Sequence, residues 1–191
     1  MHKGRLEAFS DAVIAIIMTI MVLELHAPKG SEWSDLLPMA PIFGCYLLSF
    51  VFLGIYWNNH HHMLQAAKGV NGAALWANMN LLFWLSLIPF ATEWLGQNHH
   101  SRGPIALYGF LLLMCGSAYF VLSSILIAAD GKDSKLAKAV GKGHKEILSV
   151  TLYASAIAVA IWAPLPYLAF WFYIAVALMW LIPDRRIERQ Q

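Results

Sequence analysis

Most of the chain consists of long uncharged stretches separated by short polar segments. The uncharged runs cover residues 12–23, 39–57, 72–92, 103–129 and 147–182. A helix needs about 20 apolar residues to cross a bilayer, so most of these runs are long enough to predict membrane-spanning helices. The last run has 36 residues and as a single helix would be about 54 Å long. Its Ala163-Pro164-Leu165-Pro166 segment therefore indicates a turn between two spans.

Six spans are thus predicted, in an all-α integral membrane protein with a single domain over residues 1–191. The approximate bounds of the spans are 5–26, 39–62, 72–95, 103–129, 146–163 and 165–183. Composition supports this class, because 59% of the residues are hydrophobic and 13% are charged, with a mean hydropathy of +0.58. The short connectors leave no room for a soluble catalytic domain. We therefore expect no enzymatic activity and no catalytic residues, no cofactor and no nucleic acid partner.

Positive charges are distributed unequally between the two sides of the predicted bundle. Eleven lysines and arginines lie on the side of the termini, and two, Lys29 and Arg102, lie on the other. The positive-inside rule then places both termini in the cytoplasm, in a multi-pass protein of the plasma or inner membrane. The cytoplasmic charges include five lysines between residues 132 and 145, which favour contact with anionic membrane lipids. The eleven residues are Lys3, Arg5, Lys68, Lys132, Lys135, Lys138, Lys142, Lys145, Arg185, Arg186 and Arg189.

The first apolar stretch is unusual because it begins with charged and polar residues. Arg5, Glu7, Ser10 and Asp11 come directly before the uncharged residues 12–23. That run is shorter than the about 20 residues that a crossing requires, so Asp11, Ser10 and the neighbouring Phe9 are expected below the lipid headgroups. Ionisable groups at that depth usually face protein or water and are functional candidates.

On a helical wheel this first stretch has two different faces. With Ile16 as the zero point, Ile20 lies at about +40° and Leu23 at about −20°, so the three form an aliphatic stripe. Asp11 lies at about −140° and Ser10 at about +120°, away from the stripe. If these polar groups bond to neighbouring helices, the stripe is left to face lipid, another helix or a copy of itself across a symmetry axis.

Histidines at the end of the second span and an amide in the third are further candidates. His60, His61 and His62 invite a metal-binding interpretation. Successive helical residues diverge by about 100°, however, so at most two can serve one site, and no acidic or sulfur ligand is close in sequence. Hydrogen bonding between helices, with no metal, is the favoured role. The same role is favoured for Asn78, because an unpaired amide in hydrocarbon is costly.

Two features of well-known potassium channels are absent from the sequence. It contains no Thr-Val-Gly-Tyr-Gly-like segment for a carbonyl filter and no arginine-repeat helix for sensing voltage. A hydrophobic constriction can also control conduction, and the aliphatic stripe of the first helix is the best candidate for one.

Motifs in the first three spans carry a family resemblance. The first span has Arg5-x-x-x-Phe9-Ser10-Asp11 before an aliphatic run that ends at Glu24. The second ends in Trp57-x-x-His60-His61, and the third contains Trp76-x-Asn78 and Ser86-Leu87-Ile88-Pro89-Phe90. Together these motifs resemble the prokaryotic members of the transmembrane protein 175 family, the endosomal and lysosomal type of potassium channel. The resemblance is specific over residues 5–93, and beyond them it rests on the number and spacing of spans.

The resemblance implies a homotetramer of six-span subunits, whose first helices surround a central pore. It places the pore constriction at Ile16, Ile20 and Leu23, with Thr19 at a threonine position of the family. It also implies a polar network that holds the pore helix to the second and third spans. The residues of this network would be Arg5, Phe9, Ser10, Asp11, His60, His61 and Asn78.

The implied function is passive, modestly potassium-selective cation conduction. An aliphatic ring offers no oxygen ligands, so it favours ions that shed water more easily, and potassium does so more easily than sodium. Glu24 would lie at the outer mouth, where a ring of carboxylates concentrates cations. Potassium and other monovalent cations are then the permeant partners.

Two alternatives remain at this stage. One is a proton- or cation-coupled secondary transporter that uses Asp11 and the cluster from His60 to His62, although no paired repeats are visible. The other is a membrane-embedded metal-dependent enzyme built on the histidines, which lacks carboxylate partners close in sequence.

Overall fold

A computed structural model describes residues 3–131, 133–140 and 144–181, with residues 138–140 and 144 described by their backbone alone. These residues form eight α-helices and two short 3-10 helices, Trp33–Met39 and Pro166–Leu168. The predicted positive charges at Lys132, Lys142, Arg185, Arg186 and Arg189 lie outside the described residues. The α-helices are α1 Lys3–Leu23, α2 Ala40–Ala66, α3 Gly72–Ser86, α4 Ile88–Gln97, α5 Arg102–Asp130, α6 Lys135–Val140, α7 His144–Trp162 and α8 Ala169–Leu181.

The helical segments agree in the main with the predicted spans. Within the described part of the chain, five segments are long and apolar enough to cross a membrane: Lys3–Leu23, Trp33–Ala66, Gly72–Gln97, Arg102–Asp130 and Lys145–Trp162. The sixth predicted span falls on a shorter apolar segment, Pro166–Leu181, and its last two residues lie outside the described ranges. The six-span count therefore stays a prediction.

The third predicted span differs from expectation because it is two helices rather than one. α3 ends at Ser86 and α4 begins at Ile88, with the amide of Leu87 bonded to the Trp84 carbonyl at 3.2 Å. Pro89 lacks an amide proton and its ring crowds the carbonyl four residues earlier, which interrupts the helix at this point. The break allows α4 to pack against α2 while α3 packs against α5.

The helices pack around α5, which contacts α3 and α4 on one side and α7 on another. Apolar side chains of these helices form one buried cluster, with Leu112 and Cys115 of α5 and Leu81 and Leu85 of α3 among its members. Arg102 at the start of α5 donates to the carbonyls of Ile161 and Ala163, at 2.7 and 3.2 Å. This contact connects the start of α5 to the turn after α7.

α1 lies at the edge of this bundle and packs against α2, α3 and α4. All of its neighbours are on one side, so the opposite side of the helix has no protein contact in the described chain. The edge position determines which of its side chains are available to a partner.

Candidate functional site

The two faces of α1 have different environments. Ile16 is 56% exposed, Ile20 39% and Leu23 74%, whereas Ile14 and Ile17 are 0% and 3% exposed. The buried residues recur every three or four positions, at Leu6, Ser10, Ile14, Ile17 and Met21. The aliphatic stripe therefore lies on the side of α1 that faces away from the rest of the described residues.

Thr19 is exposed beside the stripe, but its hydroxyl is already engaged. Its Oγ1 donates to the Ile16 carbonyl oxygen at 2.8 Å, a bond that threonine often makes to its own helix. Toward the start of α1 the exposed side continues through Phe9 to Arg5. In the described chain the Arg5 side chain makes no hydrogen bond to another residue, and the Phe9 ring has no group that could make one.

A fully buried polar chain connects α1 to α2 and α3. The Asn78 amide donates to Ser10 Oγ at 2.9 Å, and Ser10 Oγ donates to the Leu6 carbonyl at 2.9 Å. His60 Nε2 lies 2.7 Å from Asn78 Oδ1 and is the donor there, because an amide oxygen only accepts. Ser10, His60 and Asn78 are each 0% exposed, so these bonds pair polar groups where water is absent, although Nδ1 of His60 has no hydrogen-bond partner among the described residues.

Asp11 and His61 lie in a separate group, and its third member is Glu7. His61 Nδ1 is 2.9 Å from Glu7 Oε1, and His61 Nε2 is 2.8 Å from the Gln65 amide nitrogen. Trp57 stacks on the His61 ring at a centroid distance of 6.1 Å. Asp11 Oδ1 is buried without a hydrogen-bond partner among the described residues. The group is only partly buried, in contrast to the Ser10 chain.

Two other candidates lie near these groups. Glu24 follows directly after the last residue of α1 and is partly buried. His62 is partly buried and its ring meets that of His61 edge to face at 5.6 Å. The structure thus brings Ser10, His60 and Asn78 together and leaves Glu24 far along α1 from them.

Glu7 was not predicted as a site residue from the sequence, although its spacing from Asp11 could have indicated it. Glu7 and Asp11 are four residues apart, so they share one face of α1. Their proximity to His61 was not visible, because it depends on how the start of α1 docks against the end of α2.

The fold and the apolar segments define a multi-pass helical membrane protein, and comparisons identify its family. The family model for the endosomal/lysosomal potassium channel TMEM175 matches residues 5–89. A protein described as a potassium channel of Chryseobacterium sp. (strain P1-3) is 53% identical over 189 residues, which cover 99% of this chain and 97% of the relative. A potassium channel of Streptomyces collinus is 32% identical over 63% of each chain.

A solved structure has the same fold. It is the crystal structure of a lysosomal potassium-selective channel TMEM175 homolog from Chamaesiphon minutus, with a TM-score of 0.79 at 24% identity. The match covers 96% of this chain and 97% of that one. The chain belongs to the TMEM175 family, as a prokaryotic member.

Proposed function

We propose that this chain is the subunit of a cation channel with a modest preference for potassium. The observation that carries the proposal is the aliphatic stripe of Ile16, Ile20 and Leu23, on the side of α1 that is exposed in the described part of the chain. The two bacterial relatives compared above are described as potassium channels. The comparisons give no support to the transporter alternative, and a channel family favours a protein that is not an enzyme.

The stripe becomes a pore only when several copies of α1 face one another. One helix lines one side of a path, and the family resemblance implies four subunits around a central axis. In that arrangement α1 contacts its own subunit through the buried face and presents the stripe to the axis. Large exposed apolar surfaces on a membrane protein otherwise face lipid. Whether the stripe lines a pore or faces lipid therefore depends on the assembly of the subunits.

Selectivity in this proposal comes from the cost of removing water from the ion. Ile16, Ile20 and Leu23 carry no oxygen ligands, and the Thr19 hydroxyl bonds to its own helix. In a tetramer each of these three aliphatic positions forms a ring of four side chains. An ion that passes these rings sheds part of its hydration, which potassium does more easily than sodium. Glu24 lies beyond the Leu23 end, where a ring of carboxylates raises the local cation concentration.

The buried polar chain holds the pore helix in register. Ser10 of α1 bonds to Asn78 of α3, and Asn78 bonds to His60 of α2. Hydrogen bonds of this kind between transmembrane helices contribute about 0.6 kcal/mol on average and about 1.7 kcal/mol at most. Together they fix the rotation of α1, and so the direction in which the stripe points. The potassium ion is the permeant species, and the proposal needs no cofactor.

Flux through the purified protein tests this function. Liposomes that contain the protein are loaded with potassium and diluted into sodium or an impermeant cation, and loss of the gradient is followed with a potassium indicator. We expect passive dissipation whichever counter-ion is outside, and slower dissipation of a matched sodium gradient. A flux that requires a specific coupled ion would overturn the channel proposal in favour of a transporter.

The proposed orientation has its own test. A reporter fused after Gln191 should report the cytoplasm, and the same reporter inserted between Pro28 and Gly30 should report the exterior. These outcomes follow from the positive-inside rule applied to the charges on the two sides. The opposite pattern would contradict the six-span arrangement or its direction.

A further inference from the structure

The group at the start of α1 contains the ligand types of a metal site. Among the described residues, Glu7, Asp11 and His61 each offer one ligand atom, and all three atoms lie within 4.8 Å of one another. Carboxylate oxygens and imidazole nitrogens both bind zinc-like dications, and three protein ligands with a water in the fourth position is an arrangement that zinc adopts. Magnesium and calcium prefer oxygen ligands alone, so the imidazole favours a transition metal.

The spacing is suitable for a tetrahedral centre. Zinc binds oxygen and nitrogen at about 2.0–2.2 Å, which places neighbouring ligand atoms about 3.4 Å apart. His61 Nδ1 and Glu7 Oε1 are 2.9 Å apart, slightly closer than this. All three ligand atoms lie within 4.8 Å of one another, so no pair is more than about 1.4 Å beyond the required spacing.

The charges around the group also favour a bound cation. Glu7 and Asp11 are one turn apart on α1, where like charges repel, and His61 is the one ion-pair partner of either carboxylate in the described chain. The nearest lysine in sequence, Lys3, donates instead to the carbonyls of Gln65 and Ala67.

Three buried atoms in or next to the group lack hydrogen-bond partners among the described residues, and one of them is His61 Nδ1, which lies 2.9 Å from Glu7 Oε1 without hydrogen-bond geometry. Asp11 Oδ1 accepts no hydrogen bond in the described chain, and neither does Nδ1 of His60, whose side chain is 0% exposed. A buried carboxylate oxygen without a donor is costly, and a dication removes that cost.

Neighbouring side chains are positioned to orient the histidine ligand. A metal-bound histidine normally donates its second ring nitrogen to an acceptor. His61 Nε2 already lies 2.8 Å from the Gln65 amide, and a rotated amide presents its oxygen there instead of its nitrogen. The Trp57 ring stacks on His61 and limits the rotation of the imidazole.

We propose that Glu7, Asp11 and His61 form a binding site for a zinc-like transition-metal dication between α1 and α2. Such an ion bridges the start of the proposed pore helix to the end of the second helix. Binding stabilises the folded protein, since the three ligands come from two helices that separate on unfolding. The site is distinct from the aliphatic stripe, and its existence does not depend on whether the stripe conducts ions.

The test is metal binding by the full-length protein in detergent, stripped with a chelator and titrated with zinc chloride alone. We expect saturable binding of one zinc ion per chain that excess magnesium does not displace. His61→Gln should weaken this binding at least about tenfold, since loss of even an outer partner of a zinc ligand costs 10–100-fold. Glu7→Gln should weaken it similarly, and it serves as the second variant if His61→Gln does not fold.

Matched controls separate this site from the other histidines. His62→Gln removes the adjacent imidazole, and the double variant of His99→Gln with His100→Gln removes a loop pair whose rings are 4.2 Å apart. All of these should bind zinc like the wild type, and zinc-edge X-ray absorption should show one imidazole per metal. Unchanged affinity in His61→Gln and Glu7→Gln, lost affinity in the loop variant, or two imidazoles per zinc would each overturn the proposal. None of these measurements involves ion flux, so the metal-site proposal can fail while the channel proposal stands, and the reverse.

Discussion

The two faces of α1 are built from similar aliphatic residues, yet one is buried in the protein and the other is open. Ile17 is packed against the bundle, whereas Ile16, its neighbour in sequence, is exposed. Hydrophobicity does not distinguish them. The two faces differ in their polar residues, because Ser10 lies on the buried face and bonds to Asn78. This bond is the basis of the proposal that the buried polar chain orients the helix.

In a membrane protein, apolar residues can face lipid as well as the protein interior, so hydrophobicity alone does not indicate which side of a helix is buried. Lipid tails are as apolar as leucine, so helices in a bilayer associate through packing and polar contacts. Polar residues then identify the protein-facing side of a helix, and the aliphatic residues opposite them are left for lipid or for a pore.

The largest effect is expected from a polar substitution at the centre of the exposed face. Ile16→Asn should raise single-channel conductance severalfold and bring the potassium-to-sodium permeability ratio close to unity, because a wetted ring no longer penalises hydrated ions. Bi-ionic reversal potentials in planar bilayers measure this ratio.

Ile17→Asn is the matched control for this change on the opposite face. It buries an amide among the core residues in place of a side chain that is 3% exposed. We expect destabilisation of the order of 3 kcal/mol, with the permeability ratio of any folded channel unchanged. Unchanged selectivity in Ile16→Asn together with altered selectivity in Ile17→Asn would mean that the buried face lines the path.

A second prediction concerns the anchor of the buried face. Asn78→Ala removes the acceptor of His60 and the donor to Ser10, and it should cost about 1–3 kcal/mol, because a buried donor is left unsatisfied. The loss is measured by chemical unfolding in detergent. Asn80→Ala is the control, since that side chain is exposed and bonds only to Trp84 within the described chain, and its effect should stay within about 0.5 kcal/mol. Equal losses in the two variants would remove the special role of Asn78.

Which side of the first helix faces the protein was predictable, because polar residues in an apolar run indicate the side that contacts other helices. The family assignment and the apolar helical segments are confirmed, while the roles of Ile16, Thr19 and the network residues remain predictions. The pairing of Glu7 with His61 was not predictable, since it depends on how two helix ends meet. The break at Leu87 was not predicted either, because residues 72–92 form one uncharged run that indicates a single span.

A third, smaller effect is expected at Asp11, whose environment differs from that of Ser10. In chelator, Asp11→Asn should change the free energy of unfolding by less than about 1 kcal/mol, because Oδ1 has no donor to lose in the described chain and repulsion with Glu7 is relieved. The change should be clearly smaller than that of Asn78→Ala in the same unfolding assay. A loss as large as that of Asn78→Ala would show that Asp11 has a stabilising partner, such as one in a neighbouring subunit.

The smallest expected effect is at Thr19, the polar residue on the open face. Its hydroxyl donates to the Ile16 carbonyl at 2.8 Å, and a hydroxyl has one proton to give, so an ion in the path meets mainly the methyl group and an oxygen turned toward the helix. Thr19→Val keeps the branched shape, and we expect conductance and permeability ratio to change by less than about twofold, or about 0.4 kcal/mol in barrier height. Single-channel recordings of Thr19→Val beside Thr19→Ser, which keeps the hydroxyl and loses the methyl group, separate shape from polarity. A steep loss of potassium preference in Thr19→Val alone would mean that the hydroxyl leaves its own helix and binds the permeant ion, and the exposed face would then select by coordination as well as by dehydration.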